Sequence, residues 1–89
     1  MSLMSERKKI DQIDEAIAKL INERFKVVQT IKDIKKTTLM PIEHKDREEA
    51  IITRNLTFID QAYQEYFLRI YQTIIEASKD FQKQWNILV

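Results

Sequence analysis

No glycine or proline interrupts the chain from Ser5 to about Lys36, and the apolar residues inside that run keep helical time. Ile10, Ile13, Ile17, Leu20, Val27, Ile31 and Ile34 fall three and four apart, the spacing of a heptad seam. Such a helix is ~30 residues and ~45 Å long, more than a small domain can cover by itself. A second copy of the same chain is the expected cover, which makes a homodimer the predicted assembly.

Composition agrees with helices throughout. Among 89 residues there is no glycine and one proline, Pro41. Hairpins and tight turns draw on glycine, so an all-α fold is predicted. Phosphate-cradling loops need glycine too, which excludes Walker and dinucleotide motifs. There is no cysteine and His44 is the only histidine, so neither a disulfide nor a metal centre is expected. Missing cysteine fits a cytoplasmic protein. The net charge of +1 gives no general attraction to nucleic acid or membrane. No apolar run reaches the ~20 residues of a membrane span, and no signal peptide is expected. Residues 1–4 read as an added leader before a second start methionine, leaving 5–89 as one helical domain.

The predicted order is a long helix, a short one and a medium one. Ser5 is the expected N-cap of the first. Thr37–Lys45 is a loop in which Pro41 pushes Met40 out of helical geometry. The second helix begins near Glu43 or Asp46, with Asp46, Glu48 and Glu49 at its positive end. Thr57 or Asp60 is the expected cap of the third. That helix carries Phe67, Ile70, Tyr71, Ile74, Ile75, Phe81 and Trp85, and its aromatics are expected to serve core or dimer packing.

Polar groups interrupt these apolar faces. Arg24 continues the first seam without a phase slip, Glu48 lies one turn before Ile52, and Ser78 one turn before Gln82. A buried charge needs a partner. Lys35 lies eleven residues after Arg24, ~16 Å along the axis and only ~20° around it, so both heads can converge on one small molecule. Arg7 lies ~25 Å before Arg24 and is rotated by ~100°; an antiparallel partner helix could deliver it. Taken singly, each residue has a plainer reading. Arg24 with Glu48 is an interhelical ion pair, Lys35 a solvated charge at a helix end, and Ser78 a hydroxyl bonded to its own turn. His44 is an exposed loop residue and Arg7 a surface charge. Taken together, they suit a small polyanion.

The ordered pattern Arg7-Lys8-Lys9-Ile10-Asp11-Gln12-Ile13-Asp14, Glu23-Arg24, Lys35, Pro41, Asp46-Arg47-Glu48-Glu49 and Ile74-Ile75-Glu76-Ala77-Ser78 with Gln82 resembles the helical (type II) class of chorismate mutases. The resemblance implies a three-helix chain that dimerises through entwined first helices. It implies the unimolecular rearrangement of chorismate to prephenate in aromatic amino-acid biosynthesis, with no cofactor and no metal. On that resemblance Arg24 and the partner subunit's Arg7 grip two carboxylates. Lys35 and Gln82 donate to the breaking ether oxygen, Glu48 accepts from the ring hydroxyl, and Ser78 steadies a carboxylate. Lys35, Gln82 and Glu48 form the implied catalytic set, with Arg47 supporting Glu48 from behind. Where the family often has Arg-Asp after the loop proline, this chain has Glu43-His44, so His44 falls at the hydroxyl end of the site. Two alternatives share the scaffold: an isochorismate-pyruvate lyase, against which Glu48 and Ser78 argue, and a catalytically silent dimerisation module.

Overall fold

The computed structural model describes residues 2–38, 41–42 and 44–87, with side chains as far as 83. The expectations for Met40 and Glu43 and for the Trp85 side chain lie outside those described parts. All regular structure among the described residues is helical: α1 (Leu3–Thr38), α2 (Lys45–Leu56), a 3-10 turn (Gln61–Tyr63) and α3 (Gln64–Ile87). The long–short–medium order is the predicted one. No described helix is long and apolar enough to cross a membrane.

The ends of the helices differ from expectation for local reasons. Ser2, not Ser5, caps α1: the Ser5 N–H donates to Ser2 Oγ at 3.1 Å, and the Ser2 N–H faces Ser5 Oγ at 3.4 Å. This reciprocal arrangement satisfies orphan donors and starts the helix at Leu3. At the other end the weak helix formers Thr37 and Thr38 are kept helical by their hydroxyls. Thr37 Oγ1 lies 2.9 Å from the Ile34 carbonyl and 3.0 Å from that of Asp33, and Thr38 Oγ1 lies 2.9 Å from Ile34 O. Thr57 does not open α3. It closes α2, its hydroxyl donating to the Arg54 carbonyl at 2.6 Å. Asp60 leads only into the 3-10 turn and makes no side-chain cap bond. The glycine-free connection is held by Gln64, whose Nε2 donates to the carbonyls of Leu56 and Ile59 at 3.3 and 3.2 Å.

The molecule measures 54 × 25 × 17 Å. Its long axis is the length of α1, since 36 residues at ~1.5 Å each span about 54 Å. The radius of gyration is 16.4 Å, against ~12 Å for a compact chain of this size. α3 packs on both α1 and α2, whereas α2 makes no close backbone approach to α1. That leaves a gap between α1 and α2 floored by α3.

The core is very small. Among the described residues, Val28 and Ile75 are the buried apolar ones, and Ser78 and Gln82 the buried polar ones. The seam of α1 is open to solvent: Ile10 and Ile13 are each 56% exposed, Leu20 62% and Val27 60%. Fully burying one such side chain contributes roughly 1.5–3 kcal/mol, so the seam holds most of the stabilisation the fold has yet to use. Tyr63, Tyr66 and Ile70 on α3 and its entry turn are likewise exposed. Phe67 stacks on Tyr71 with centroids 5.3 Å apart, and Phe25 tilts against Phe81 at 5.8 Å.

Candidate active site

The gap between α1 and α2 is a cleft of about 180 Å³. Arg24, Val28, Ile31 and Lys35 face it from α1, and Arg47, Glu48 and Ile51 from α2. Ile75, Ser78, Lys79 and Gln82 form its α3 wall, and Ile42 and His44 line it from the connecting loop. Their spacing explains the convergence. Residues 24, 28, 31 and 35 repeat every three or four positions on one face of α1, and 75, 78, 79 and 82 do the same on α3.

Arg24 Nη1 donates to Ser78 Oγ across the α1–α3 contact, and its guanidinium carbon lies 5.9 Å from the Tyr71 ring centre. Ser78 Oγ donates in turn to the Ile74 carbonyl at 2.9 Å. The plain expectation for Ser78, a hydroxyl bonded to its own turn, is thus met, and the same oxygen also orients Arg24. Lys35 Nζ donates to the Ile42 carbonyl at 2.9 Å, drawing the loop over one end of the cleft. Glu48 does not pair with Arg24. Its Oε1 is 2.9 Å from Lys79 Nζ, because α2 packs on α3 and not on α1.

Two buried acceptors have no hydrogen-bond partner among the described residues, Glu48 Oε2 and Gln82 Oε1. Among the described residues Gln82 Nε2 reaches the Ser78 carbonyl alone, at 3.4 Å. A buried polar atom left unpaired costs about 1–3 kcal/mol. Two of them lining one cleft mark it as built for a polar guest.

His44 is the N-cap of α2: its Nδ1 accepts the Arg47 N–H at 3.0 Å. Only Nε2 and the backbone of His44 are therefore available to a ligand. Arg47 lines the cleft without a side-chain bond to Glu48; Lys79 occupies the supporting place expected of Arg47. Arg7 is the one predicted site residue that the cleft does not include. It is exposed on the N-terminal third of α1. Lys79 was missed by the sequence reading, although its place four residues after Ile75 and three before Gln82 puts it on the same face. No group of three or more His, Asp or Glu among the described residues is placed to hold a metal ion.

Comparison with known proteins covers nearly the whole chain. The family described as chorismate mutase type II matches residues 6–83. A chorismate mutase from Methanocaldococcus jannaschii is 37% identical over 81 residues, covering 89% of this chain and 82% of that protein. A bifunctional chorismate mutase/prephenate dehydratase from Aquifex aeolicus is 37% identical over 86 residues, or 91% of this chain. The chain spans only 24% of that longer protein's length. No solved structure matches the chain.

Proposed function

The chain belongs to the type II chorismate mutase family, and on that premise we propose that it rearranges chorismate to prephenate as a homodimer, in the cytoplasm. The observation that carries the reading is the convergence of Arg24, Lys35, Glu48, Ser78 and Gln82 from three helices on one cleft.

The reaction is unimolecular, so the protein's task is to fold up a flexible dianion and to stabilise charge that appears as its ether bond breaks. Arg24, already oriented by Ser78, grips one carboxylate through its planar fork. The partner subunit's Arg7 grips the other. Lys35 turns from the Ile42 carbonyl to donate to the ether oxygen. Gln82 donates to the same oxygen from the other side, since its weakly held amide can turn to present Nε2. These donors gain strength as negative charge grows on that oxygen, which lowers the barrier selectively. Glu48 Oε2 accepts from the ring hydroxyl and so fixes the ring's attitude. His44 Nε2 or backbone and Arg47 complete the hydroxyl end.

The exposed seam and the distance of Arg7 from the cleft support the dimer. Two α1 helices run antiparallel in the register that sets Ile17 against Leu20 of the partner subunit, Ile13 against the partner's Arg24 and Ile10 against the partner's Val27. All of these apolar residues are exposed in the single chain. The same register sets Arg7 opposite the partner's Thr30, midway between the levels of Arg24 and Lys35. One alignment thus covers the seam and completes both clefts.

The test is turnover. Purified protein mixed with chorismate should consume it, with loss of substrate absorbance and prephenate as product. Gln82 does not titrate, so activity should persist through neutral pH, and Gln82→Glu should confine it to acid, where a carboxyl (ordinary pKa ≈ 4.3) still carries a proton to donate. Binding of prephenate without any consumption of chorismate would leave only a silent module. A wild-type profile climbing steeply into acid would remove Gln82 from its role.

A further inference from the structure

We propose that Lys79 is a positioning residue for substrate recognition: its ammonium anchors one oxygen of Glu48 so that the other stands as a fixed acceptor for the substrate's ring hydroxyl. The inference rests on the function proposed above and adds a residue to it.

Three observations carry it. Lys79 Nζ lies 2.9 Å from Glu48 Oε1, with the two side chains only 22% and 21% exposed. The second oxygen, Oε2, is buried and has no partner among the described residues. Both side chains line the cleft, and both also line a second, polar niche of about 350 Å³, shared with Ile52, Gln72 and Glu76. The pair therefore forms a partition, one of its oxygens committed and the other open.

A lone glutamate turns about its terminal torsion, which is broad and roughly two-fold. Its acceptor direction is then averaged, and a hydroxyl must order it on binding. A charge-assisted bond to one oxygen removes that freedom beforehand. The neighbouring Arg47 does not do this, and Lys79 comes from a different helix, so α2–α3 packing itself sets the direction. The hydroxyl gains no charge as the ether bond breaks. Its recognition is felt equally in ground and transition states, and its loss falls on KM.

A simple staple between α2 and α3 would behave differently. It would lower thermal stability and disturb kcat and KM for any substrate. The experiment compares wild type, Lys79→Met and Lys79→Arg on chorismate and on an analogue whose ring hydroxyl is replaced by hydrogen. For Lys79→Met on chorismate, KM should rise roughly tenfold with kcat kept within about twofold. Lys79→Arg should recover most of the loss. On the analogue, wild type and Lys79→Met should share one KM. In a Glu48→Gln background, Lys79→Met should add nothing further. Should Lys79→Met reduce the yield of folded protein, Lys79→Gln carries the same comparison. An unchanged KM on chorismate, or an equal rise on the analogue, overturns the proposal and leaves the mutase reading intact. A wild-type protein that does not consume chorismate overturns both.

Discussion

Arg24→Ala and Lys35→Ala each reduce kcat/KM on chorismate by on the order of 10²–10³-fold or more, while the protein stays dimeric and helical. The size follows from what each cation faces. In a cleft walled by three helices, a preorganised donor aimed at developing charge contributes more than it would in solution, and losing one such donor costs roughly 3–4 kcal/mol of barrier. Lys35→Ala should strike kcat, because its proposed partner is the ether oxygen, whose charge grows only in the transition state. Arg24→Ala should raise KM as well, because a carboxylate is charged throughout. Neither change should unfold the chain. Arg24 is only partly buried, and among the described residues its side chain hydrogen-bonds to Ser78. Lys35 holds a single loop carbonyl. Steady-state kinetics with circular dichroism and light scattering on the same samples would check this. Activity within tenfold of wild type in both variants would remove the cleft as the site.

The second large effect is on assembly. Ile17→Asp should abolish the dimer and with it most of the folded structure. Ile17 is 48% exposed in the single chain and Leu20 62%, so both leave much of their apolar surface uncovered in the monomer. In the proposed register both lie beside the two-fold axis, so one substitution places two carboxylates close together in an apolar seam. Burying an unpaired charge there costs several kcal/mol per copy. The monomer cannot absorb that loss, because Val28 and Ile75 are the buried apolar residues among those described and small domains have little stability in reserve. Sedimentation or light scattering would report loss of the dimer, and circular dichroism loss of helix. Gln12→Asp, on the polar side of the same helix, should leave both unchanged. A stable, helical Ile17→Asp monomer would show that the seam is not the interface.

The residues differ in how far the sequence disclosed them. Helix order and the faces of α1 and α3 were plain, because an unbroken three-and-four spacing is a local property. Arg24 and Ser78 stood out because each interrupts an apolar stripe in phase, and Lys35 because it lies eleven residues after Arg24 on nearly the same face; Gln82 gained a role only through the family resemblance. What periodicity does not carry is which face meets which. The Glu48–Lys79 pair depends on α2 lying against α3 and away from α1, and the reading that paired Glu48 with Arg24 had no access to that. Caps were also hard to place. Ser2 and Ser5, or Thr57 and Asp60, offer similar hydroxyls and carboxylates, and selection between them turns on a single backbone bond of about 1 kcal/mol. His44 shows the same limit, since its capping bond to Arg47 removes one ring nitrogen from a role that its place in the chain suggested.

The central claim is that each cleft is completed by a guanidinium from the other chain, and mixing two inactive variants addresses it directly. Arg7→Ala and Arg24→Ala should each be nearly inert alone. After mixing in equal amounts and exchanging subunits, half of the dimers carry one chain of each kind. In those, one cleft has lost both guanidiniums and the other has kept both. Activity should return to about one quarter of wild type. A mixture no more active than its two components, with subunit exchange verified, would mean that Arg7 does not reach across the dimer and that the site is built some other way.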